Sequence, residues 1–96
     1  MIRHVVFMKF KPGVTDEQIE ELRNSLGALP GKIPEIREYS FGTDVVGSER
    51  SVDLAIVSAF TDLEALKRYS VHPDHLPVAS LAKSLSETML SADYIF

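Results

Sequence analysis

The chain has 96 residues, 45% of them apolar, and its 10 basic and 14 acidic side chains give a formal net charge of −4. That length holds one domain, and the apolar share suffices for a core without metal or disulfide staples, there being no cysteine. Scattered basic residues exclude a nucleic-acid surface, and no apolar run reaches membrane length, so a soluble cytoplasmic protein with neither partner is expected.

The opening segment MIRHVVFMKFK lacks a small-residue cleavage site and reads as a strand over Ile2 to Phe10, not as a signal peptide. Ile2, His4, Val6, Met8 and Phe10 fall on one side, with Val5 and Phe7 central on the other. Pro12 and Gly13 make a turn. Thr15 and Gln18 then have capping-box spacing, and Ile19, Leu22, Leu26 and Leu29 follow at helical spacing until Pro30 and Gly31. EIREYSFG reads as a second strand with Tyr39 and Phe41 on one side, TDVVGSERS as an exposed connection, and VDLAIVSAF as a third strand. There Leu54, Ile56 and Phe60 alternate with Ala55, Val57 and Ala59, so both faces are again apolar.

Thr61 and Glu64 repeat the capping-box spacing before a second helix that should turn Leu63, Leu66 and Tyr69 inward. Pro73 disfavours helix at His72, so this helix should end near Val71. A short third helix carrying Val78, Leu81 and Leu85 begins at Pro73 or at Pro77, both registers being compatible with proline in a first turn. TMLSADYIF is the last strand. No Gly-rich phosphate loop, repeat or low-complexity tract interrupts this order.

Strand, helix, strand, strand, helices, strand gives an α+β domain, with helices on one face of a four-stranded antiparallel sheet. The other face then exposes Val5, Phe7, Ala55 and Val57 in a monomer. A second copy packed on it about a twofold axis is the simplest cover, so a homodimer is expected. Longer side chains at the rim are the alternative cover.

HVVFMKFKPG, IPEI, FGTDV, YSVHPDHLP and DYIF together resemble the stress-responsive A/B-barrel (Dabb) family over the whole chain. The Tyr-x-x-His-Pro-x-His element from Tyr69 to His75 is the most specific part. The resemblance implies a ferredoxin-like fold that pairs through its sheets into a dimeric α+β barrel. In the plant polyketide cyclases of the family, which work without a cofactor, the tyrosine and final histidine of this element are catalytic. Those roles would fall on Tyr69 and His75. The first-strand histidine matches His4, and an aspartate that orients the catalytic histidine matches Asp93. Leu54 stands where those cyclases have a further histidine.

The chemistry is compatible with these residue types. Imidazole titrates near neutrality and can remove a proton from an activated carbon, and the positive end of a helix beginning near His75 would favour the neutral ring. Asp93 could accept the other ring N–H, although a solvated strand-end aspartate is the plainer reading. Tyr69 could donate to an oxygen as negative charge builds there, or be a core tyrosine with a satisfied hydroxyl. His4 is a cavity residue or a structural strand histidine, and His72 is read as structural. Proline bends the His72–His75 segment, so no metal site is expected.

A cavity between helices and sheet would be lined by Val6, Met8, Leu22 and Leu26, with Leu54, Ile56, Val78, Met89 and Ile19 completing it. Such a space suits a small hydrophobic or aromatic molecule. Three activities remain open: a cofactor-free lyase or cyclase, a stress-related binding dimer without turnover, and a cofactor-independent monooxygenase of the antibiotic-biosynthesis type.

Overall fold

A computed structural model describes the whole chain, Met1–Phe96. The elements are β1 (Ile2–Phe10), α1 (Asp16–Ala28), a 3-10 turn (Leu29–Gly31), β2 (Glu38–Thr43), β3 (Leu54–Phe60), α2 (Leu63–Ser70), α3 (His75–Leu85) and β4 (Ser86–Ile95). The strands form one antiparallel sheet in the order β2-β3-β1-β4, which is the ferredoxin-like arrangement. β1 is therefore central, and β2 and β4 are the edges.

The start of α1 follows from its capping box. Gln18 N donates to the Thr15 hydroxyl at 3.2 Å, and Thr15 N donates to the Gln18 side-chain oxygen at 2.9 Å. Leu22 and Leu26 are its buried residues. Leu29 and Ile33 continue the same core beyond the helix end.

The cap of α2 differs from the sequence expectation. Asp62, not Thr61, holds the N-cap and accepts from Ala65 N at 2.9 Å. Its buried residues are Ala65 and Tyr69, four apart on one face, with Leu66 partly buried against the core. Leu63, the first residue of the helix, is 54% exposed instead of buried. The start of α3 also differs from both expected registers. It begins at His75, leaving Pro73 outside and Pro77 within the first turn, where backbone N–H groups have no intrahelical partner anyway.

Antiparallel pairing aligns residues in rungs across the sheet, and members of one rung share a face. Thr43–Leu54–Met8–Met89 and Phe41–Ile56–Val6–Ser91 face the helices. So does the next rung, Tyr39–Ser58–His4–Asp93, all of whose members are polar or ionisable. On the opposite face lie Ser40–Val57–Val5–Ala92 and Gly42–Ala55–Phe7–Leu90. No helix covers this second face: Phe7 is 39%, Val57 37% and Leu90 59% exposed. The two-sided apolar character of β1 and β3 thus corresponds to one face under the helices and one open face.

Candidate active site

The all-polar rung lies beneath the end of α2 and the start of α3. Tyr69 points from the last turn of α2 into the core, beside Phe60, with ring centroids 4.8 Å apart. The segment Val71–Asp74 turns the chain back, and His75 at the start of α3 returns to Tyr69, with ring centroids 4.2 Å apart. His4, rising from β1, meets Tyr69 edge-on with centroids 6.3 Å apart. The Tyr-x-x-His-Pro-x-His spacing therefore works through geometry. Its proline-bent turn places Tyr69 and His75 on one side of the same space.

That space is a cavity of about 300 Å³. Val6, Met8 and Ile56 line it from the sheet, Leu26 from α1, and Val78, Ala79 and Ala82 from α3. Met89, Leu90 and Ser91 of β4 complete the wall and are themselves exposed, so the cavity reaches solvent along the β4 edge. Tyr69, His75 and His4 are among its polar lining residues, with Ser70 and Ser91.

Hydrogen bonds fix the chemistry of both histidines. His75 Nδ1 faces the Ser70 carbonyl oxygen at 3.2 Å. A carbonyl can only accept, so Nδ1 carries the hydrogen and the neutral ring has its lone pair on Nε2. His4 Nδ1 bonds the Asp93 carboxylate, which likewise leaves Nε2 as its other nitrogen. Asp93 is directly opposite His4 on the neighbouring strand. This corrects the expectation that Asp93 orients His75. The β1–β4 register commits the carboxylate to His4, and the Ser70 carbonyl takes its place at His75.

Burial holds the His75 pKa below the ordinary imidazole range, and the nearby His4 and His72 reinforce this against the Ser70 bond. Desolvation is thus the main cause, in place of the helix end proposed from sequence. Burial pushes the Tyr69 phenol up to about 12, so it is a protonated donor at neutral pH. The structural reading of His72 agrees with its surroundings: its Nδ1 accepts from Asp74 N at 3.1 Å within the turn.

A family model for the stress responsive A/B barrel domain matches residues 2–96. The chain belongs to the Dabb family. It is 35% identical over its full length to an uncharacterised protein of Streptomyces coelicolor, of which it covers 100%. It is 27% identical to the olivetolic acid cyclase of Cannabis sativa over 97% of this chain and 94% of that one. A dimeric ferredoxin-like protein of unknown function from Thermobifida fusca superimposes with a TM-score of 0.91 at 26% identity, covering 99% of this chain and 90% of that one.

Among the residues expected around the Dabb cavity, Val6, Met8, Leu26, Ile56, Val78 and Met89 line it. Leu22 and Leu54 do not. Both are fully buried in the core, and Ile19 also stays off the wall. On α1 the wall is reached by Leu26, one turn beyond Leu22, and on β3 by Ile56, two residues beyond Leu54. Ala79, Ala82, Ser70, Leu90 and Ser91 were missed as lining residues. For Ala79 and Ala82 the available signal was their helical spacing from Val78 and His75.

Proposed function

We propose that this Dabb protein is a homodimer that binds a small hydrophobic or aromatic molecule and carries out lyase- or cyclase-type acid–base chemistry on it without a cofactor. His75 Nε2 accepts a proton from a carbon next to a carbonyl group. The Tyr69 hydroxyl donates to that carbonyl oxygen as it gains negative charge. His4, fixed by Asp93, offers a second nitrogen to a ligand hydroxyl. The observation that carries the reading is the pairing, in one largely apolar cavity, of a free His75 Nε2 with the Tyr69 phenol. The relation to a cyclase covering nearly the whole chain supports it. An open cavity also favours this reading over a filled, purely structural dimer.

The homodimer rests on the uncovered sheet face and on the dimeric solved relatives. Beyond Val5, Phe7, Ala55 and Val57, its interface takes in Leu90 and Ala92, which share their rungs, and Tyr94, opposite Arg3 on the same face. No helix of the chain is long and apolar enough to cross a membrane, and we assign the protein to the cytoplasm. The test is a thermal-shift and turnover screen of small aromatic acids and β-keto acids against wild type, Tyr69→Phe and His75→Ala. Ligands that stabilise wild type should lose their effect in both variants. Equal stabilisation of all three would place binding elsewhere and end the proposal.

A further inference from the structure

The open sheet face is uneven. On its β4 side it carries the exposed side chains of Leu90 and Tyr94. Toward β2 it holds a recess lined by Phe7, Ser40, Gly42, Ala55 and Val57, and nothing lies within 4 Å of where a Cβ at Gly42 would stand. Projection and recess share one rung, Gly42–Ala55–Phe7–Leu90. Asp44, Arg50, Ser51 and Val52 of the β2–β3 loop complete the recess, so that loop leans toward the open face. The loop is held in shape from within. Asp44 N donates to the Asp53 carbonyl at 2.9 Å across its base, and the Asp44 carboxylate accepts from Val46 N at 3.2 Å and Gly47 N at 2.6 Å. The turn so formed presents two apolar neighbours outward, Val45 at 94% and Val46 at 76% exposure.

Two aligned sheets can stack about a twofold axis that runs across their strands or along them. An axis across the strands sets β4 on the partner's β4 and β2 on the partner's β2, so bulk opposes bulk and hollow opposes hollow. An axis along the strands sets β4 on the partner's β2 and keeps each rung at its level. Leu90 then enters the partner's recess, which is the close-packed solution. The same operation fixes where the loop goes. Thr43, just before it, shares a rung with Met89, so the partner's loop arrives at Met89–Ser91, the mouth of the cavity. Stacked sheets lie about 10 Å apart, a gap that about three extended residues span, and the loop is long enough to cross it. We infer that the cavity is completed across the dimer: the twofold axis runs along the strands, Leu90 of each copy seats in the partner's recess, and the partner's β2–β3 turn closes the mouth at the β4 edge with its two valines. This supplies apolar cover over Met89 and Leu90, which the single chain leaves exposed. The inference rests on the reading of the protein as a homodimer.

The chain has no cysteine, so introduced thiols report without background. Ser40→Cys combined with Ala92→Cys marks the neighbouring rung, Ser40–Val57–Val5–Ala92, at two small exposed positions on the two edge strands. Within one chain these positions lie three strand spacings apart, roughly 14 Å, too far for a short ethylene-bridged bis-thiosulfonate. Between copies related by the along-strand axis they face each other. The reagent should therefore turn the double variant into a covalent dimer on denaturing gels and leave both single variants monomeric there. A covalent dimer from a single variant sets an edge strand on its own copy and overturns the inference. So does a double variant that sediments as a dimer without cross-linking. A wild-type chain that sediments as a monomer ends the homodimer reading itself. Closure of the mouth has a separate readout. The thiol introduced by Met89→Cys should react with dithionitrobenzoate roughly tenfold more slowly in the dimer than in a Phe7→Asp monomer, because it is reached only through local opening. Val45→Gly with Val46→Gly should restore the fast rate while the protein still sediments as a dimer. Equal rates in dimer and monomer, or a slow rate that survives loss of both valines, would refute closure by the partner.

Discussion

Filling the cavity should stabilise the protein while abolishing ligand binding. Ala79 lines the cavity from α3 and is partly buried, and the space beside it measures about 300 Å³. Ala79→Leu adds three carbon atoms to that wall. At about 0.8 kcal/mol per buried methylene the transfer gain is about 2 kcal/mol. Ordering the leucine side chain takes back roughly 0.5–1 kcal/mol, and helix propensity changes little between the two residues. A net gain of roughly 1 kcal/mol remains, which in a domain of this size raises the Tm by about 4–8 °C. Circular dichroism melts at fixed protein concentration measure it, the concentration being held because a dimer melts in a concentration-dependent way. In the same variant, any aromatic ligand that stabilises wild type should no longer do so. A Tm several degrees lower would mean overpacking against a wall already closed, and the cavity account would be refuted.

Other predictions concern the interface, the two histidines and the core. Phe7→Asp or Val57→Asp puts an unpaired charge on the open face and should give a folded monomer by analytical ultracentrifugation; a persistent dimer would show that the face is not the interface. His75 binds a proton less readily folded than unfolded, so the unfolded chain takes up more protons below about pH 6.5. Stability should therefore fall on acidification through that window, by at most about 1.4 kcal/mol per pH unit and less for a half-buried ring. His75→Gln should lose this slope in urea titrations, and an unchanged slope would contradict the burial of His75. Asp93→Asn should alter the nitrogen NMR shifts of His4 and leave those of His75 in place; the opposite pattern would restore the pairing expected from sequence. Leu54→Ala should cost about 2–5 kcal/mol of stability in denaturant melts, because Leu54 is fully buried in the core.

Alternation along β1 and β3 was enough to read the fold, because strand side chains repeat every two residues and both faces of these strands carry apolar groups. Tyr69 and His75 were singled out by the resemblance carried by the Tyr-x-x-His-Pro-x-His element, and the short turn bent by Pro73 brings their rings together. What the sequence withheld depends on pairings between distant segments. The partner of Asp93 is set by the β1–β4 register, and nothing in SADYIF alone says whether it meets His4 or His75. The same register brings Leu90, Ala92 and Tyr94 to the open face. Leu22 and Leu54 have the same chemistry as Leu26 and Ile56, and only their packing in three dimensions separates core from cavity wall. The α2 cap expected at Thr61 lies instead at the adjacent Asp62, and Leu63, expected to face inward, is exposed as the first residue of the helix.

The central claim is that His75 presents an unprotonated Nε2 to the cavity it shares with Tyr69. Long-range proton–nitrogen correlation spectra of His75 at neutral pH, recorded while 2,4-dihydroxybenzoate is titrated in, test it most directly. The account predicts a ring protonated on Nδ1, with the Nε2 resonance moving as ligand fills the cavity and ceasing to move in Ala79→Leu. A ring protonated on Nε2, or a ligand that binds without touching that resonance, would contradict it.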